Sequence, residues 1–133
     1  MIKYMLDTNT VAYAINKRPL SVLDNLLKHS PDEICISSIT MAELEYGIHN
    51  SSKPEQNRIA LMMFLSDISV LPFDSDCTFE YGILRHELKI QGNIIGANDM
   101  LIAAHAKSLG LILVTHNTKE FSRITDLKLE DWV

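Results

Sequence analysis

No stretch of this chain approaches the roughly 20 consecutive apolar residues a helix needs to cross a bilayer. The short apolar run Met1 to Leu6 stops at Asp7 before it can serve as the core of a signal peptide. Both observations point to a cytoplasmic protein with no membrane partner. Cysteine is scarce. Cys35 and Cys77 lie far apart among apolar neighbours with no CxxC spacing, which argues against a disulfide framework or a thiolate metal site and leaves two buried free thiols as the expectation. Five histidines are scattered without a His-x-x-x-His pair, so zinc has no ligand set. Basic charge is also short: 12 Lys and Arg against 17 Asp and Glu give a net charge of −5. That balance argues against a surface that tracks nucleic acid over many phosphates. The objection weakens if several acids share one metal site, because bound divalent cations cancel their charge and attract phosphate themselves.

What is present is a globular balance, with 47% hydrophobic and 22% charged residues in 133. That length suits one domain, residues 1–133, burying about two-thirds of its unfolded surface. Ile2 to Leu6 reads as a strand, and Asp7-Thr8-Asn9 as the start of a helix that runs to Lys17, where Arg18-Pro19 breaks it. Val22, Leu23, Leu26 and Leu27 recur at helical spacing. Glu33 to Ser37 reads as a second strand, and Ser38-Ile39-Thr40 opens a helix through Tyr46, with Gly47 in or near its last turns. Pro54-Glu55 begins a helix whose Ile59, Met62, Met63, Phe64 and Ile68 form a stripe expected in the core or on a dimer surface. Val70 to Phe73 reads as a third strand and Ser75 to Lys89 as a helix that stops at Gln91-Gly92-Asn93. From Asn98 a helix that is apolar almost all round should be buried, and Leu111 to Val114 has the continuous apolar character of a doubly covered parallel strand. Alternating strands and helices imply an α/β fold with a central parallel β-sheet flanked by helices.

In such sheets ligands collect beyond the carboxyl ends of the strands. Asp7 follows the first strand, Thr115 and Asn117 follow the last, Glu43 lies one turn into the helix after the second, and Asp99 opens the buried helix. Carboxylates converging there would suit a hard divalent cation, which takes oxygen ligands. Each residue also has a plainer role. Asp7 can cap a helix, though an acid directly after an apolar strand favours function. Thr40-x-x-Glu43 matches a capping box, Asp99 suits the positive end of a helix dipole, and Asn117 suits a turn. The spacing alone therefore yields a suspected metal site and no more.

Four segments narrow the reading: MLDTN (5–9), SSITMAELEYG (37–47), GANDMLIAAHAKSLGLILVTHNTKEF (96–121) and the closing DWV (131–133). In this order they resemble the VapC toxins of the PIN-domain ribonuclease family, from first strand to last residue. The resemblance implies a PIN-like single domain acting as the toxin of a type II toxin–antitoxin system. Its implied activity is Mg2+-dependent hydrolysis of RNA, with tRNA as the expected substrate and Mn2+ as an alternative ion. Asp7, Glu43 and Asp99 correspond to the acidic metal-binding residues. Asn117 corresponds to a fourth catalytic position that is aspartate in many PIN domains; being neutral, it binds metal more weakly, and RNA phosphate would have to complete a second ion site. A metal at Asp7 and Asp99 would lower the pKa of a bound water and neutralise charge during in-line displacement, while Glu43 remains open as ligand or base. Thr115, ahead of Thr8, is the candidate for supporting the carboxylates by hydrogen bonds. The resemblance further implies a homodimer and a VapB-type antitoxin, with DNA contacted only through that antitoxin. A basic antitoxin residue paired with the carboxylates would compete with the metal.

Among the remaining marked residues, His105 reads as a satisfied packing residue, His116 as an exposed strand-end side chain within reach of RNA, and Trp132 as a packing anchor. Arg85, Lys89, Lys107, Lys119 and Arg123 are candidate phosphate contacts, although solvated helix faces explain any one of them. Two other classes compete. A phosphoaspartate-type phosphatase needs a second acid two residues after the first, and that position is Asn9; a receiver-like domain needs a lysine at the end of the last strand, and there Asp74 and Asp76 meet Thr115-His116-Asn117 instead. A catalytically inactive, partner-binding PIN module is disfavoured by the three retained acids.

Overall fold

The computed structural model describes residues 1–133. Five strands, β1 (Tyr4–Leu6), β2 (Ile34–Ser37), β3 (Ser69–Leu71), β4 (Ile112–Val114) and β5 (Leu129–Glu130), form one sheet in the order β3-β2-β1-β4-β5. Every neighbouring pair is parallel. Seven helices cover it: α1 (Thr8–Asn16), α2 (Leu20–Leu26), α3 (Ser38–His49), α4 (Pro54–Phe64), α5 (Ser75–Gln91), α6 (Ala97–Ser108) and α7 (Thr118–Phe121). Parallel strands need crossover connections, and helices supply them on both faces.

Side-chain alternation along each strand divides the core in two. Met5, Cys35 and Leu113 point to one face, where Leu84 and Leu88 of α5, Ile102 and Ala103 of α6 and Phe121 of α7 bury them. Leu6, Ile34, Ile36 and Val114 point to the other, against Val11 of α1, Ile48 of α3 and Leu61 of α4. Helix α6 is buried over Met100, Ile102 and the run Ala103 to Ala106, as its apolar circumference demands. The two cysteines are buried and free, and burial pushes the Cys35 thiol up to about 12.

The molecule departs from its sequence reading in several places. The stripe on α4 divides: Ile59, Met62 and Met63 stand in solvent, while Phe64 and Ile68 pack against the second core. The third strand lies at Ser69–Leu71, one residue ahead of its apolar run, and α6 starts at Ala97 behind Gly96. A fifth, two-residue strand on β4 carries no periodicity that would announce it. Trp132 just beyond it is an anchor: its ring stacks on His29 at 5.2 Å and meets Tyr4 at 5.4 Å, and its carbonyl accepts a hydrogen bond from Asn25 Nδ2.

Sheet order decides where a site can form. From β1 the chain steps outward through β2 to β3, then returns to place β4 on the opposite side of β1. The direction of winding therefore reverses between β1 and β4, and the crevice at their carboxyl ends is where open α/β sheets bind ligands.

Candidate active site

Asp7 stands in that crevice. Leu6 is in register with Val114, and the Asp7 N–H donates to the Val114 carbonyl at 3.1 Å, so the first acid is tied to the end of β4. Thr10 Oγ1 donates to the same carbonyl at 3.1 Å. The Asp7 side chain is buried at 6% exposure, and its Oδ1 caps α1 by accepting from the Thr10 N–H at 2.9 Å. Capping thus occupies one carboxylate oxygen and leaves Oδ2 for other work.

Glu43 does not close the capping box that its spacing predicts. Ser37 caps α3 instead, its Oγ accepting from the Ile39 N–H at 3.1 Å, and Thr40 Oγ1 is buried without a partner. Released from capping, Glu43 turns to the crevice: Thr8 Oγ1 donates to its Oε1 at 2.5 Å and Asn98 Nδ2 to its Oε2 at 3.3 Å. Asp99 follows Asn98 in the first turn of α6, and its carboxyl is pushed up to about 6. Burial is the main cause, followed by the charges of Glu120, Glu43 and Asp7. The three acids singled out from the sequence, distant along the chain, therefore face one another closely enough to repel.

The fourth charge in that group, Glu120, is not among the site residues that the sequence singles out. Its Oε2 accepts from Asn117 Nδ2 at 2.5 Å and its Oε1 from the Gly96 N–H at 3.3 Å. Asn117 therefore reaches the cluster through Glu120. A signal existed: Glu43 lies six residues beyond Ser37, the last residue of β2, and Glu120 six beyond Val114, the last of β4. Of the two threonines, Thr8 bonds a carboxylate, whereas the Thr115 Oγ1 accepts from the Asn117 N–H at 3.0 Å and shapes the turn after β4.

Cations stay away from this cluster. The ion pairs of the molecule join Lys3 to Glu33, Arg58 and His49 to Glu45, Lys107 to Glu80, and His116 to Asp131. Arg85 is turned to the Tyr81 hydroxyl at 2.7 Å. His105 is buried, with Nδ1 at 2.8 Å from Ser37 Oγ and its ring edge-on to Phe73. No three carboxylate, imidazole or thiolate side chains lie close enough together to grip one ion as they are arranged. The donor set nevertheless fits a hard divalent cation: all oxygen, several negative charges, neutral hydrogen-bond donors and no competing lysine or arginine. Loading such an ion requires the carboxylates to draw inward.

Comparison with known proteins identifies the family. The family model described as "PIN domain" matches residues 4–127. The chain is 53% identical over 130 residues to Ribonuclease VapC2 of Rickettsia felis, covering 97% of each. It is 43% identical over 132 residues to the tRNA(fMet)-specific endonuclease VapC of Shigella flexneri, covering 99% of each. Among solved structures it superposes on DNA-bound VapBC from Salmonella typhimurium with a TM-score of 0.94 at 40% identity, and on promoter-bound VapBC2 from R. felis with 0.91 at 51%, covering all of both chains. Family model, full-length identity and superposition converge: the chain belongs to the VapC branch of the PIN-domain family.

Proposed function

We propose that this protein is the toxin of a type II toxin–antitoxin pair and acts as a divalent-metal-dependent endoribonuclease on tRNA, with Mg2+ as its ion and Mn2+ as an alternative. The observation that carries the reading is the crowding of Asp99 by Glu120, Glu43 and Asp7 in a crevice where none of them has a cationic partner. Structure-forming acids are normally paired or capped; a group of like charges left uncompensated is a cost that function has to justify. The Shigella relative bears the name of a tRNA(fMet)-specific endonuclease, and the Salmonella and Rickettsia relatives were solved as VapBC on DNA. Those names support tRNA as substrate, a VapB-type antitoxin as partner and DNA contact by the pair, which we assign to the antitoxin because this chain carries a net charge of −5. Exposed Phe79, Ile83 and Ile90, spaced along α5, support a homodimer.

In this reading Asp7, Asp99 and Glu120 would hold the ion, which would supply charge neutralisation at the phosphate and acidify water. The remaining roles belong to the chain. Thr8 and Asn98 fix the rotamer of Glu43, the acid best placed on its exposed helix face to take a proton from water. Asn117 and the Gly96 N–H orient Glu120, and the Val114 carbonyl holds the Asp7 backbone at the sheet edge. The test is incubation with total tRNA and Mg2+, with and without EDTA, beside Asp7→Asn. Discrete fragments that vanish with EDTA and in the variant are expected; cleavage persisting in EDTA contradicts metal dependence, and uptake of label from acetyl phosphate would indicate phosphoaspartate chemistry instead.

A further inference from the structure

The wall of the acidic crevice formed by α3 carries more than Glu43. Ile39, Ala42, Glu43 and Tyr46 fall at helical intervals along one side of this helix, and with Thr8 and Asn98 they line a cleft of about 530 Å³. Tyr46 is 70% exposed, unusual for a large ring on a helix whose other side packs into the core. Its hydroxyl and ring meet no other aromatic group, and no hydrogen bond within the protein holds it. Ile39 and Tyr46 are seven residues apart, about 10 Å along the axis. Between them Ala42 presents only a methyl group, leaving a shallow seat with an aromatic flank. Across the seat, Asn98 spends one N–H on Glu43 and keeps its other N–H and its carbonyl oxygen for a ligand.

We propose that Ile39, Ala42 and Tyr46 form a base-binding subsite, taking one unstacked nucleobase of single-stranded RNA adjacent to the phosphate that the acids address. The proposal rests on the ribonuclease reading of the acidic cluster. Three physical arguments support it. A chain of net charge −5 has few cations to spend on phosphates, so its affinity for RNA must come from elsewhere. Stacking on an aromatic ring is independent of charge, and unpaired bases in loops are where RNA exposes its faces. Tyr46 also lies one helical turn beyond Glu43, so a base on its ring leaves its own phosphate beside the carboxylates. Asn98 would then read the edge of the base, giving a preference that stacking alone lacks.

The probe is fluorescein-labelled oligoadenylate, titrated by anisotropy against the full chain in Ca2+, with no turnover needed for the readout. Tyr46→Ala is expected to weaken binding about five- to 150-fold, the range measured for loss of one base stack, whereas Tyr46→Phe keeps the ring and stays within about twofold. Leu27→Ala, removing an equally exposed apolar side chain just after α2 and outside the cleft, is expected to change nothing. An oligomer of the same length with abasic riboses should bind more weakly and no longer distinguish wild type from Tyr46→Ala. Wild-type-like binding by Tyr46→Ala, no binding by wild type, or an abasic oligomer that retains the full Tyr46 dependence would each overturn the subsite. Failure of the underlying reading has a separate signature: tRNA left intact by wild type in Mg2+ while Tyr46-dependent binding persists in Ca2+.

Discussion

Asp99→Asn should make the metal-free protein more stable at neutral pH, although it deletes a carboxylate from the first turn of a helix. The Asp99 carboxyl titrates near 6 in the folded chain against an ordinary value of 3.8, a difference of about 2 units or, at 1.36 kcal/mol each, about 3 kcal/mol. Solvent reaches this half-buried group and screens it, so we take about 1–2 kcal/mol as the strain that a neutral amide removes. Opposing it is the favourable interaction with the α6 dipole, about 0.3–1 kcal/mol; repulsion and desolvation win. Because folding raises this pKa, the folded state holds the extra proton between pH 4 and 6. The group's contribution to stability is therefore fully present below 3.8 and is lost as pH rises through 6. Thermal melts in EDTA should show Asp99→Asn unfolding a few degrees higher than wild type at pH 7.5, with the two curves converging near pH 4. Saturating Mg2+ should reverse the order, since the ion stabilises only the form that binds it. A variant less stable than wild type at pH 7.5 without metal would refute the claim that burial and neighbouring like charges strain the ionised Asp99.

Thr8→Val keeps the shape of the side chain but removes the donor to Glu43 Oε1; turnover of tRNA should fall about tenfold or more while the denaturation midpoint moves by less than about 1 kcal/mol. Glu120→Gln should weaken Mg2+ binding measured by calorimetry, whereas Asn117→Ala should weaken it less, since Asn117 acts on the cluster through Glu120; equal losses would put Asn117 at the ion itself. His105→Leu leaves the hydroxyl of Ser37, which caps the helix carrying Glu43, without its imidazole partner. The cost should be about 1–3 kcal/mol in chemical denaturation.

The parts of this molecule that could be read from residues alone are those where burial imposes a pattern. β4 is a run of apolar residues because helices cover both of its faces, and α6 is apolar around its circumference because it lies between the sheet and α5. Asp7 is legible because an acidic side chain directly after such a strand breaks the pattern abruptly. Glu43 was recognised with an alternative that the fold rejects. Ser37 lies one residue before the helix and captures the capping role, so a local motif yields to a neighbour better placed by β2. Glu120 is harder to read because α7 is a single short turn with no periodicity; its six-residue offset from β4, matching that of Glu43 from β2, is the one pointer along the chain, and the fold adds the Gly96 N–H that donates to it. β5 is two residues long, and pairing with β4, not composition, makes it a strand. Met62 and Met63 show the converse limit: helical spacing identifies a stripe but not which side of the helix meets the core.

A manganese titration followed by X-ray diffraction tests the central claim most directly, because anomalous scattering locates the ion without reference to activity. The account predicts a peak in the crevice between β1 and β4, within coordinating distance of Asp7 and Asp99, that disappears in Asp7→Asn. Manganese bound on another surface, or a crevice that stays empty at saturating concentration while tRNA is still cut, would contradict it.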